Sequence, residues 1–82
     1  MTRPFDTIES AQEYVTLLAE QVDEVRATIA DDISAAMLEE AQRRIEGLQL
    51  ADYKLQQLNA HLNGAKRMLN DLRLLRRVLA LE

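Results

Sequence analysis

His61 is the one imidazole in the chain, and its neighbours decide whether it could hold a metal. Helical di-metal sites place a Glu three residues before each His, so that both side chains leave one face of successive turns. Here that position is Leu58, no second His completes a His-Glu-x-x-His pattern, and there is no cysteine. Any metal would rest on carboxylates alone, so His61 reads as a surface or rim residue. Nucleophilic chemistry has no better footing. Ser10 and Ser34 stand where helices are expected to begin, and a hydroxyl in that place favours capping. No Gly-x-Ser-x-Gly turn and no glycine-rich phosphate loop occurs. Glu9, Glu13, Glu20 and Glu24 fall within about 60° of one another on a helical wheel, opposite an apolar stripe. That is the pattern of a solvated face, not of a general acid/base pair. The reading is therefore a non-enzyme with no catalytic, cofactor or metal site and no evident small-molecule substrate.

The remaining chemistry lies in five cations: Lys66, Arg67, Arg73, Arg76 and Arg77. They could contact phosphates, and a nucleic-acid-associated accessory protein is the alternative functional reading. Three features argue against it. The cations are interleaved with Leu inside a heptad pattern, no aromatic stands among them to stack on bases, and the whole chain carries a net charge of −4. Lys66, Arg73 and Arg77 share one helical face, within about 40° on the wheel, at the edge of the apolar seam. Arg67 points away, and Arg76 occupies the seam row itself, where a buried guanidinium needs a carboxylate. The acids of a second copy (Glu39, Glu40, Glu46 and Asp52) are candidate partners. Charge is also divided along the chain. Residues 1–46 hold four Arg against eleven acids, and residues 47–82 hold six cations against three acids. Halves of opposite sign can attract each other or another copy without any polyanion.

These residues need elements to carry them, and the composition names the type. Ala, Leu, Glu, Gln and Arg dominate, with one Pro and two Gly, so the fold class is all-α. Residues 1–5 read as an extended leader, because Pro4 disfavours helix in the residue before it, and residues 6–82 as a single helical domain. Asp6 and Glu9 have the spacing of a capping box. Leu81-Glu82 matches a common cloning scar and receives little weight. No apolar run reaches membrane-spanning length, and the reducing cytoplasm is the default compartment.

From Ile8 the apolar positions Ala11, Val15, Leu18, Val22, Val25 and Ile29 alternate steps of three and four. A second series runs through Leu48, Ala51, Leu55, Leu58, Leu62, Ala65, Leu69 and Leu72, and continues across Arg76 to Leu79. The step from Ile29 to Ile45 leaves the two stripes roughly 160° apart, so the chain must reverse between them. The poorest helix formers lie at Thr28–Ser34, which places the reversal near Asp31-Asp32. The expectation is an antiparallel helical hairpin with a short helix at about 6–29 and a long one at about 33–80. A turn at Gly47 is the rival, and Asn63-Gly64 a third option that the unbroken register disfavours.

Such a short first helix covers only the first half of the second, and Leu58, Leu62, Ala65, Leu69, Leu72 and Leu79 are then left bare. Burying each Leu contributes roughly 1.5–3 kcal/mol, so a second copy, antiparallel across the long helices, is expected to complete a dimeric helical bundle or coiled coil. The self-association seam is Leu55, Leu58, Leu62, Ala65, Leu69, Leu72 and Leu79. Leu74, Leu75 and Val78 make the C-terminal turns apolar nearly all round, and they are the candidate docking surface for another protein's amphipathic helix. The functional expectation is a protein–protein interaction module (scaffold, adaptor, small chaperone or regulatory subunit).

Overall fold

The computed structural model describes residues 7–80, which form two helices and one tight reversal. Helix α1 spans Ile8–Leu38 and helix α2 spans Gln42–Ala80, and the two pack against each other as a hairpin. The leader, the Asp6 cap and Leu81-Glu82 lie outside the described residues. Thr7 stands at the start of α1 without a side-chain cap bond, and Ala11 N–H donates to its carbonyl at 3.0 Å.

The reversal lies at Glu39–Ala41, not at Asp31-Asp32 and not at Gly47, so the expected short helix of 6–29 and long helix of 33–80 are corrected to helices of 31 and 39 residues. The seam itself overrides local propensity here. Ile29, Ile33 and Ala36 continue the buried stripe at steps of four and three, with Ala36 only 1% exposed. The polar residues within this stretch are accommodated by back-bonding: Thr28 Oγ1 donates to the Glu24 carbonyl and Ser34 Oγ to that of Ala30, both at 3.2 Å. Ser34 is thus a mid-helix residue and not a cap. Gly47 lies inside α2 without a positive φ, and Gly64 likewise.

The stop at Leu38 has a definite geometry. Ala41 N–H donates to the Ala36 carbonyl (3.0 Å) and Glu40 N–H to that of Met37 (3.1 Å), the paired bonds of a Schellman ending. Glu40 takes the left-handed position with φ 57°, a place usually given to Gly. The positions at which this motif usually carries an apolar pair are Ala36, which is buried, and Ala41, which is half-buried.

Among the described residues six are buried: Ile8, Ala19, Val22, Ala36, Ile45 and Leu62. Ala19, Val22 and Leu62 form one cluster against which Val15 and Leu55 pack. Two of the six are Ala19 and Ala36, so the helices approach closely but hide little apolar surface. The molecule is a rod of 64 × 18 × 15 Å with a radius of gyration of 18.7 Å. A compact chain of this length would have a radius of about 12 Å. No described helix is long and apolar enough to cross a membrane.

Candidate functional site

The two helices meet along a seam that uses one of the expected heptad columns on each and replaces the other. On α2 the Leu48, Leu55, Leu62, Leu69 column lies on the buried side. Its companion is not Ala51, Leu58, Ala65 and Leu72 but the polar set Asp52, Asn59, Lys66 and Arg73, also spaced by seven. On α1 the Ile8, Val15, Val22, Ile29 column is shared with expectation, and its companion is Ala19, Arg26 and Ile33 in place of Ala11, Leu18 and Val25.

Cross-helix polar contacts explain this choice. Arg26 Nε donates to Asp52 Oδ1 at 2.9 Å, and Asn59 Nδ2 donates to Asp23 Oδ1 at 2.9 Å. Arg73 Nη1 donates to Gln12 Oε1 at 3.3 Å, with its Nε 3.7 Å from Glu9. The Arg76 guanidinium straddles Glu9, its Nη1 at 2.9 Å from Oε2 and its Nη2 bonded to Oε1. In each pair the residue numbers sum to nearly the same value, as antiparallel pairing requires. One edge of the hairpin is therefore zipped by polar and charged groups from Glu9 and Arg76 at its open end to Arg26 and Asp52.

Electrostatics follow the geometry. The Arg76 fork, helped by a backbone hydrogen bond, holds the Glu9 carboxyl down at about 2. The bond from Arg26, with a second from Gln56 at 2.9 Å, lowers Asp52, and Asp52 in turn raises Arg26. Glu9 consequently departs from its expected place on the solvated face, whereas Glu13, Glu20 and Glu24 are exposed. Arg76 does find a carboxylate, but in its own chain. Asn59 carries a cost: its Oδ1 is buried without a hydrogen-bond partner among the described residues. The amide orientation is fixed by Asp23, whose carboxylate can only accept.

The opposite edge is apolar and open. On the wheel, Leu18 and Val25 are displaced from the α1 seam in the same rotational sense as Leu58, Ala65, Leu72 and Leu79 from the α2 seam, by roughly 60–80°. In an antiparallel pair, equal rotational sense places both sets on the same side. Their exposure is substantial: Leu18 37%, Val25 47%, Leu58 41%, Leu72 36% and Leu79 50%. Tyr14, Met68 and Leu75 extend this side and are more exposed still. Of the expected self-association seam, Leu55, Leu62 and Leu69 thus lie toward the intramolecular contact, and Leu58, Ala65, Leu72 and Leu79 line the open flank.

Leu74 and Val78 are exposed on the far side of α2, away from that flank, and Leu75 lies between. Of the five C-terminal cations, Arg73 and Arg76 are engaged by Glu9 and Gln12. Lys66 is half-buried, and Arg67 and Arg77 are exposed. A shallow open groove on the polar edge is lined by Glu9, Gln12, Glu13, Thr16, Lys66 and Arg73. His61 is exposed on α2 beside the apolar flank, and no cluster of three metal-ligating side chains occurs among the described residues. Sequence reasoning missed the polar zipper. Its signal was available in the complementary pairs Arg26/Asp52 and Glu9/Arg76, which become visible only once an antiparallel register is assumed. The chain matches no protein-family model, no curated protein and no solved structure.

Proposed function

We propose that this chain is a structural protein–protein interaction module that self-associates through the apolar edge of its hairpin and performs no chemistry of its own. The observation that carries the reading is the sidedness of the hairpin. One edge is closed by Arg26–Asp52, Asn59–Asp23 and Arg76–Glu9, while Leu18, Val25, Leu58, Leu72 and Leu79 on the other edge remain in water. A contiguous exposed apolar strip is the usual mark of an interaction surface.

Surface area supports the same reading. The chain exposes 6576 Å² at a mass of 9.4 kDa. A compact monomer of that mass exposes about 5,000 Å². The surplus of roughly 1,500 Å² exceeds the ~800 Å² that each partner hides in a standard interface. A helical bundle of two hairpins is the arrangement that removes it. The nucleic-acid reading gains no support, because Glu9 engages two of the cations that would have to meet phosphate.

Light scattering over a micromolar concentration series tests the proposal. The parent chain is expected at twice its formula mass, and Leu58→Glu with Leu72→Glu at the monomer mass with helicity retained. Leu74→Glu, on the far side of α2, is expected to leave the dimer intact. A parent chain that is monomeric throughout the series refutes the reading.

A further inference from the structure

The open flank carries more than apolarity, and its order along α2 constrains how a second copy can sit. Ala51, Leu58, Ala65 and Leu72 alternate small and large at intervals of seven. Parallel helices in register would set Leu58 against Leu58 and Ala65 against Ala65, leaving bulges and gaps in turn. An antiparallel pair centred on the middle of α2 behaves differently. The midpoint of Gln42–Ala80 falls at residue 61, so full overlap of two hairpins brings Leu58 within one residue of facing the partner's Ala65 and Leu72 within one residue of facing the partner's Ala51. Both leucines of this set then meet an alanine, which is how interdigitating layers reach native packing density, while Leu79 falls level with the partner's Arg44.

Charge selects the same orientation independently. The open end of the hairpin, residues 7–20 and 62–80, holds five cations against Glu9, Glu13, Glu20 and Asp71, a net of +1. The turn end, residues 21–61, holds four cations against eight acids, a net of −4. Antiparallel hairpins place each acidic turn end beside the partner's open end, whereas parallel hairpins would stack the two acidic ends. Complementarity of this kind fixes orientation more than affinity.

Resting on the self-association reading, we infer that two copies pack flank to flank with antiparallel α2 helices, and that the two-fold axis passes beside His61. In this register the outer column of the same flank also pairs. Lys54 lies opposite the partner's Met68, Gly47 opposite the partner's Leu75, and His61 opposite its own copy.

The absence of cysteine makes this arrangement directly testable by cross-linking. Single substitutions Lys54→Cys, His61→Cys and Met68→Cys are introduced at exposed positions of the otherwise complete chain. A disulfide requires Cα atoms within about 7 Å. His61→Cys is expected to oxidise to a covalent dimer on its own. Lys54→Cys and Met68→Cys each lie about 21 Å along the axis from their own copies and are expected to stay uncross-linked alone. Mixed in equal amounts after dissociation and re-association, these two should give the heterodimer. Self-cross-linking of all three variants identifies parallel α2 helices and overturns the inference. A chain that is dimeric by light scattering but cross-links at none of these positions places the interface elsewhere, which also overturns it. A chain that is monomeric by light scattering instead refutes the underlying reading, so the two failures are told apart.

Discussion

Glu40→Gly should stabilise the protein, and Gly47→Ala should stabilise it as well. Together the two signs locate the chain reversal. Glu40 is held at φ 57°, where an L-residue costs about 1–2 kcal/mol from crowding of its Cβ. Glycine escapes that cost but loses roughly 0.5–1 kcal/mol through its greater freedom in the unfolded chain. The net gain is therefore about 0.5–1 kcal/mol. The Schellman bonds Ala41 N–H to Ala36 and Glu40 N–H to Met37 involve backbone only, so the substitution retains them. Gly47 is the mirror case. It lies within α2, and a Cβ built there meets nothing of its own chain within 4 Å, so alanine adds helix propensity of about 1 kcal/mol without a clash inside the hairpin. For a domain of this size 1 kcal/mol moves the thermal midpoint by roughly 4–8 °C. The assay is thermal and denaturant unfolding followed by circular dichroism at one fixed protein concentration, since association would shift the midpoint by mass action. A left-handed Gly47 at a turn would make Gly47→Ala destabilising. That result, or a fall in midpoint for Glu40→Gly, refutes the placement of the reversal at Glu39–Ala41.

Three further perturbations probe the seam. Because Glu9 is depressed from 4.5 to about 2 in the folded chain, its contribution is fully present above its unfolded value and is lost as pH falls through about 2. The denaturation midpoints of the parent and Glu9→Gln should thus differ at neutral pH and converge near pH 2; a constant difference would show that the Arg76 bond does not act through Glu9's charge. Leu62→Ala removes the largest member of the buried cluster with Ala19 and Val22, and should lower stability by about 2–3 kcal/mol, measured from the urea midpoint. A loss below 1 kcal/mol would indicate that the cluster is not the core. Asn59→Leu deletes a buried acceptor with no partner and gives up only the bond to exposed Asp23, so stability should rise by about 1 kcal/mol and the midpoint with it. A fall would mean that the Asp23 bond outweighs the orphaned oxygen.

Sequence periodicity carried the helical class, the need for a reversal though not its place, and one heptad column on each helix, because Val15, Val22, Leu55 and Leu62 are apolar at positions where only burial accounts for them. The companion columns were not legible. Apolarity nominated Leu18, Val25, Leu58 and Leu72, all of which lie beside the seam, while Arg26, Asp52, Asn59 and Arg73 lie along it. Hydrophobic pattern alone cannot rank an Arg–Asp pair against a Leu, since the worth of the pair depends on a partner supplied by the other helix. The turn was hidden for a related reason. Asp31-Asp32 is weak in intrinsic propensity but sits in a helix held by Ile29, Ile33 and Ala36. Glu39-Glu40, good helix formers, end one through a backbone motif that has no composition of its own when Gly is missing.

The polar column along α2 gives the hairpin its direction. Had Asp52, Asn59, Lys66 and Arg73 been apolar, both edges of the α1–α2 seam would offer the same surface, and a second copy could add to either. Open addition at two edges leads to extended assemblies, whereas a single adhesive edge closes on itself as a two-fold pair. Under the proposed self-association the zipper sacrifices some burial within the hairpin and leaves Leu18, Val25, Leu58, Leu72 and Leu79 as the apolar contact between copies. Asn59 makes this trade most plainly. Its unpartnered oxygen weakens the hairpin, and polar residues at single seam positions are the best-attested means by which helices fix register against competing pairings. On this argument the stabilising Asn59→Leu change should also make the closed edge adhesive, and species larger than a dimer in light scattering are where that would be read.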